Sequence, residues 1–294
     1  MVRPGILLVD KPGGITSHDV VSRARRALGT RKIGHAGTLD PMATGLLVLG
    51  VEGATRLLTY IVGADKTYEA TILLGVETDS DDADGTETAR ADASAVTEAQ
   101  IREGIAELTG EIDQVPSTVS AIKVDGRRAY DLARAGEEVE LKARRVTVSR
   151  FHVRETRRGD TTIELDVVVD CTSGTYIRAL ARDLGRSLGV GGHLTALRRT
   201  RIGAFDVSGA ASVDDIAEDA LVEPATAAAV VVGALAVGAD EARDLRHGKR
   251  IDGGGRLTGA LAAAIDPDGR LVGIVEKRGT QLKSAMNMPE EAAR

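Results

Sequence analysis

Apolar and polar positions change period several times along the chain. GILLVDKPGG (5–14) is apolar at its start and then runs into Asp-Lys-Pro-Gly-Gly, the pattern of a buried strand entering a turn. In TSHDVVSRARRAL (16–28) a Thr/Ser start precedes Val20, Val21, Ala24 and Leu28 at helical spacing, and Gly29 follows. That predicts a capped amphipathic helix with an arginine-rich exposed face. GHAGTLDP (34–41) has no period and reads as loop; ATGLLVLGV (43–51) is a short apolar segment. EGATRLLTYIVG (52–63) is helical in pattern, and KTYEATILLGVET (66–78) alternates as a strand does. TDSDDADGTET (78–88) is a polar acidic loop. VTEAQIREGIAELTGEI (96–112) predicts a helix with a Thr97 cap and with Ile101, Ile105 and Leu108 on one face.

The second half begins with a mixed stretch: an extended start near 115, a turn at Asp125–Gly126, a short helix around Ala129–Ala135, then a strand. RFHVRET (150–156) and TTIELDVVVDCTSG (161–174) read as paired strands, TYIRALARDLGRSLG (175–189) as a glycine-ended helix, and HLTALRRTRIGAFDV (193–207) as a strand. An alanine-rich helix-and-linker region covers 211–230, and beyond 231 short strands alternate with Asp-Gly and Gly-Gly turns. The pattern predicts a mixed α/β (α+β) domain on a largely antiparallel mixed sheet, residues 1–228. A small β-rich, barrel-like domain is expected at 229–294.

Composition narrows the class. Hydrophobic residues make up 43% and charged residues 28%, as in ordinary globular proteins. Aromatic content is 2% with no Trp, so the core must be built from Val, Leu, Ile and Ala, and any base stacking must come from very few rings. Cys171 is the only cysteine, which rules out an internal disulfide and a four-cysteine zinc site and leaves it as a small buried hydrophobe. The glycine-interrupted start does not resemble a signal peptide, and the Ala/Val run near 225–238 is too interrupted to span a membrane, so a cytoplasmic location is expected.

The net charge of −6 conceals an uneven distribution. Residues 1–60 carry eight Lys/Arg against four acids, a balance of +4; residues 77–98 carry eight acids against Arg90, a balance of −7. Residues 123–150 return to +3 from eight basic and five acidic side chains, and LRRTR (197–201) adds three arginines. Separate basic patches on one chain suit a polyanionic partner.

The loop around Asp40 is the most suggestive local feature. Gly34 and Gly37 allow close approach or positive φ, and Pro41 stiffens the chain and biases Asp40 towards an extended conformation. A carboxylate on such a loop suits nucleophilic or base chemistry, although Asp-Pro is also a common structural turn. There is no phosphate-binding Gly-x-x-x-x-Gly-Lys-Ser/Thr loop, no serine nucleophile elbow and no histidine pair at zinc spacing. A reaction without ATP, metal or redox cofactor is expected, such as an isomerisation or simple transfer.

Four segments in order, GILLVDKPGGITS, HAGTLDPMATGLL, KTYEA and GTYIRAL, closely resemble the hallmark segments of the TruB family, bacterial tRNA pseudouridine synthases acting on the T-loop uridine-55. LRRTRIG resembles the family's next segment, and the last 60 or so residues its PUA-like RNA-binding domain. The resemblance implies that Asp40 is the catalytic aspartate, attacking or deprotonating the ribose of an extruded uridine, the choice between the two being open. It further implies that Arg178 pairs with and orients that aspartate, and that Tyr68 stacks on the flipped base and exchanges the C5 proton. His35 matches the residue inserted into the RNA loop, Leu197 an apolar contact to the base, and Asp82 an acid near the flipped nucleotides. Tyr176 would line the same pocket. Arg56 stands where some members carry Lys and belongs with the substrate-binding residues. The region 116–145, with Lys123, Arg127, Arg128, Arg144 and Arg145, resembles an insertion that clamps the tRNA arm through phosphates. The implied enzyme is a monomer that needs no cofactor, no membrane and no obligate protein partner. Two other readings use the same fold: a catalytic subunit directed by a guide RNA, and a non-enzymatic RNA-folding module.

Overall fold

The computed structural model describes residues 2–117, 123–124, 127–128 and 141–289. The chain forms two compact units: residues 1–41, 45–64 and 202–294 in the first, and 42–44 and 65–201 in the second. In chain order the first unit opens with β1 (Gly5–Lys11), α1 (Ser17–Leu28), β2 (Ile33–Ala36), β3 (Thr44–Val51) and α2 (Leu58–Val62). The second contains β4 (Lys66–Leu74), β5 (Val76–Thr78), β6 (Glu87–Arg90), α3 (Glu98–Glu107), β7 (Gly110–Gln114), β8 (Lys123–Val124), β9 (Arg127–Arg128), β10 (Arg144–Arg158), β11 (Ile163–Cys171), α4 (Ile177–Ser187) and most of β12 (Gly192–Ile202). The chain returns to the first unit through β13 (Phe205–Asp206), β14 (Ala211–Ser212), α5 (Pro224–Val232), β15 (Ala234–Ala236), α6 (Ala239–Arg246), β16 (Ile251–Asp252), β17 (Leu261–Ile265), β18 (Leu271–Arg278) and β19 (Gln281–Asn287).

In the first unit β1 pairs antiparallel with β3 from Gly5↔Val51 to Lys11↔Gly45 and parallel with β14, while β2 runs antiparallel to β3. The apolar run Gly5–Val9 of β1 has a direct cause: both faces are buried. Ile6 and Leu8 join Leu46, Val48, Ala54 and Phe205 in one core, whereas Leu7 and Val9 join Val20, Val21, Leu47 and Leu49 in another. Successive strand residues point to opposite faces, so the part of a strand that lies between two cores is apolar at consecutive positions. α1 supplies the outer cover of the second core. Thr16 accepts the Asp19 N–H while Asp19 accepts the Thr16 N–H, and Gly29 ends the helix in the left-handed region (φ 64°).

The second unit carries the strand order β12–β4–β11–β10–β7, with antiparallel register between β4 and β11 (Tyr68↔Val169, Lys66↔Cys171), β11 and β10, and β10 and β7. β4 buries every second residue from Lys66 to Leu74, as its alternation predicts. The C-terminal segment forms a separate sheet, β15–β17–β18–β19–β16, around its own core of Leu235, Leu245, Val272 and Leu282. This is the mixed α/β fold with a largely antiparallel mixed sheet and a separate β-rich sheet that the pattern predicts. The helix expected around Ala129–Ala135 and most of the 116–145 insertion lie outside the described residues. No helix among the described residues is long and apolar enough to cross a membrane.

Candidate active site

Asp40 is half-buried on the loop joining β2 to β3, and both of its neighbours are tied down. On one side the buried Ser17 hydroxyl accepts the Leu39 N–H (2.9 Å) and donates to the Leu39 carbonyl (3.1 Å). On the other, the Pro41 carbonyl accepts from the Gly14 N–H (2.9 Å) and from Lys11 Nζ (3.2 Å). Lys11 is fully buried, and its ammonium also donates to the Pro12 (2.9 Å) and Ile15 (2.7 Å) carbonyls. One cation thus gathers the turn after β1 and the residue after Asp40. Gly37 holds φ 84° within the same loop, a conformation that β-carbon-bearing residues rarely adopt. The loop is stiff because backbone groups on each side of the carboxylate have fixed partners.

His35 lies on β2 opposite Leu49 and is half-buried; its ring meets that of His18 edge to face, with centroids 5.7 Å apart and planes at 80°. Arg56, in the 3-10 turn Glu52–Leu57, is exposed and donates to the Asn287 carbonyl at 2.6 Å.

In the second unit the strand ends of β4 and β11 lead into the helix that carries Arg178. β4 starts at Lys66 and presents Tyr68 two residues later, β11 finishes opposite it at Cys171, and the chain then turns into α4, which carries Arg178 in its first turn. Tyr68 (7% exposed) and Leu197 on β12 (8%) are both buried. Tyr176 is half-buried at the N-cap of α4, where the buried Gln114 side chain accepts its N–H (2.8 Å) and donates to its carbonyl (3.0 Å). That amide clamp sets where α4 begins.

Arg178 and Asp82 belong to one buried structure. Arg178 Nη1 lies 3.1 Å from Asp82 Oδ2, with side chains only 4% and 6% exposed, and donates to the Ser80 carbonyl at 2.9 Å. Asp82 is held in turn by the Ser80 hydroxyl (2.5 Å) and the Asp84 N–H (3.1 Å). Asp81, at φ 61°, pairs with Arg182 at 3.1 Å; burial raises its carboxyl pKa, and Ser117 and Arg182 oppose that shift. The acidic loop 78–88 therefore turns two of its carboxylates, Asp81 and Asp82, inward onto arginines of α4. Gln114, Ser80 and Lys11 escape sequence reasoning; the one signal for Lys11 is its place at the end of a largely apolar strand.

Lys66 and Cys171 face each other with 5% and 1% exposure. Burial, and then the charge of Arg199, bring the Lys66 ammonium down to about 8, while burial pushes the Cys171 thiol up to about 11. An un-ionised, inaccessible thiol behaves as a packing group. The cavity of about 260 Å³ in the first unit, lined by Tyr60, Ile61, Ile202, Phe205, Val230 and Val231 among others, has no carboxylate or cation in its wall and offers nothing for catalysis. No group of three His, Cys, Asp or Glu among the described residues is spaced to hold a metal.

The fold is that of the pseudouridine synthases. It matches a chain of the "Crystal Structure of a Cbf5-Nop10-Gar1 Complex" with a TM-score of 0.68 and 25% identity over 98% of this chain and 84% of that one. It also matches a chain of the "Structure of H/ACA RNP bound to a substrate RNA containing 2'-deoxyuridine", with a TM-score of 0.70 and 24% identity over 97% and 85%. Residues 25–177 match the model of the TruB family pseudouridylate synthase N-terminal domain, residues 178–232 that of the tRNA pseudouridylate synthase B C-terminal domain, and residues 233–289 that of tRNA pseudouridine synthase II, C terminal. The chain is 56% identical to the tRNA pseudouridine synthase B of Leifsonia xyli subsp. xyli (strain CTCB07) over 99% of its own length and 98% of that protein's. Its identity to the corresponding protein of Arthrobacter sp. (strain FB24) is 53%, over 96% and 95%. The chain belongs to the TruB family of pseudouridine synthases, and is an RNA-uridine isomerase.

Proposed function

We propose that the substrate is tRNA and that the isomerised residue is uridine-55 of the T loop. Full-length similarity to proteins named tRNA pseudouridine synthase B supports this reading. Within the chain, its main support is the loop of Asp40, whose neighbours Leu39 and Pro41 are both fixed by hydrogen bonds, as an acid aimed at one sugar requires. The target nucleotide leaves the RNA stack; Asp40 acts on its ribose as nucleophile or base; the uracil is released, turned and rejoined through C5. The C5 proton is then lost, with Tyr68 as the group that stacks on the base and exchanges that proton.

Arg178 orients the aspartate, with Asp82 and Ser80 bracing the guanidinium from behind. Leu197 and Tyr176 contact the base, His35 enters the RNA loop, and Arg56 and the basic residues of 116–145 meet phosphates. Residues 229–294 act as a PUA-like RNA-binding domain. The enzyme works in the cytoplasm as a monomer, without cofactor or obligate protein partner.

The test is tritium release from a tRNA transcript carrying 5-tritiated uridine, comparing wild type with Asp40→Asn. Turnover is expected to vanish while tRNA binding stays near wild type. Undiminished release by the variant refutes the role of Asp40, and release from a transcript with uridine-55 replaced by cytidine refutes the choice of position. Activity of the purified chain on bare tRNA also separates this reading from a guide-RNA-directed subunit.

A further inference from the structure

We propose that His18 is a nucleobase-stacking residue, forming with His35 a two-ring step that receives a base of the substrate RNA. The inference rests on the reading that the Asp40 loop meets RNA. It starts from a shortage. The chain has four Tyr, two Phe and no Trp, and among the described residues none of these rings is exposed: Tyr68, Phe151 and Phe205 are buried, Tyr60 and Tyr176 half-buried. Proteins that hold unstacked bases use flat rings to do it, and histidine is one of them. His18 is exposed, and its ring is set edge to face against His35 at 5.7 Å and 80°.

The placement of His18 follows from its neighbours. Thr16 and Asp19 close the capping box that fixes the first turn of α1, and Ser17 is bonded in both directions to Leu39, next to Asp40. The residue between Ser17 and Asp19 is thus held on a rigid turn attached to the carboxylate's own loop, and β2 delivers His35 from the other side. A ring that meets a base gains from such fixation, because stacking depends on a preset plane.

Steady-state tritium release and filter binding on an unmodified tRNA transcript test the inference with four full-length proteins: wild type, His18→Ala, His18→Phe and His18→Ala/His35→Ala, with His35→Ala as the reference for the last. Thermal unfolding checks that each is folded. His18→Ala is expected to raise KM and Kd about 5- to 20-fold, the lower part of the range for loss of one base–aromatic stack, with kcat within twofold. His18→Phe restores KM to within threefold of wild type, and the double variant is little worse than His35→Ala, because the two rings act as one step. A KM and Kd for His18→Ala within twofold of wild type overturns the proposal, as does a His18→Phe protein as weak as His18→Ala. If wild type itself releases no tritium, the isomerisation reading fails instead, and the Kd series alone decides the role of His18.

Discussion

Replacing Lys11 with methionine isolates the tie that holds the Asp40 loop. The two side chains have similar length and volume, so packing in the fully buried site is nearly conserved while three donated hydrogen bonds are lost. The Pro41 carbonyl keeps the Gly14 N–H, whereas the Pro12 and Ile15 carbonyls lose the ammonium. Pro12 is exposed and Ile15 half-buried, so water partly replaces the ammonium at both carbonyls. Removing the ammonium also removes its own desolvation penalty, which offsets part of the loss. The net expectation is a destabilisation of about 1–2 kcal/mol, read as a lower urea midpoint at unchanged slope. Because the same cation bonds to Pro41, the loop keeps the Gly14 and Ser17 ties but is held less firmly after Asp40, and tritium release by the folded variant should drop about tenfold, well within the cost of a 1 Å misplacement. Lys11→Met with wild-type stability would show that the three bonds carry no net weight. A destabilised variant with full turnover would show that the tie does not position Asp40.

Further expectations concern the second unit. Asp82→Ala takes one carboxylate from the Arg178 guanidinium, which is 4% exposed and keeps the Ser80 carbonyl, and should lower stability by about 2–3 kcal/mol, measured by urea unfolding, with a parallel fall in kcat; a variant within about 1 kcal/mol of wild type contradicts the weight given to the buried pair. Gln114→Ala removes both bonds to the Tyr176 backbone and should cost about 2–3 kcal/mol by the same assay. Lys66 predicts a pH dependence. Its ordinary value is 10.5 and its folded value about 8, so between these values the unfolded chain binds the extra proton and stability rises with pH. Compared with Lys66→Met, wild type should therefore gain roughly 2–3 kcal/mol from pH 8 to 10.5 in urea unfolding. The comparison cancels the opposite trend from Cys171, whose raised thiol pKa weakens the fold above pH 9, and a pH-independent difference between the two proteins would refute the assignment.

Much of the local architecture was legible because it depends on neighbours in sequence. The Thr16 cap and Gly29 stop of α1 follow from short-range backbone bonds, and the alternation of β4 from one face being buried. The Asp40 loop announced itself through Gly37 and Pro41, whose backbone preferences hold wherever the chain goes. With the ordered family segments, these residues settled the fold class and the kind of reaction.

Partnerships between distant residues were decided by folding alone. Ser80 and Asp82 meet Arg178 from almost a hundred residues away, Gln114 clamps Tyr176 from 62 residues away, and Lys11 reaches Pro41 across 30. Nothing in the composition of an acidic loop tells whether its carboxylates face water or a buried guanidinium; sheet order and helix placement determine that. The compact units divide the chain in the same way, gathering 1–41, 45–64 and 202–294 from segments far apart in sequence. Local sequence governs dihedral angles and periodicity, whereas the cost of burying a charge is set by whatever the rest of the fold brings beside it.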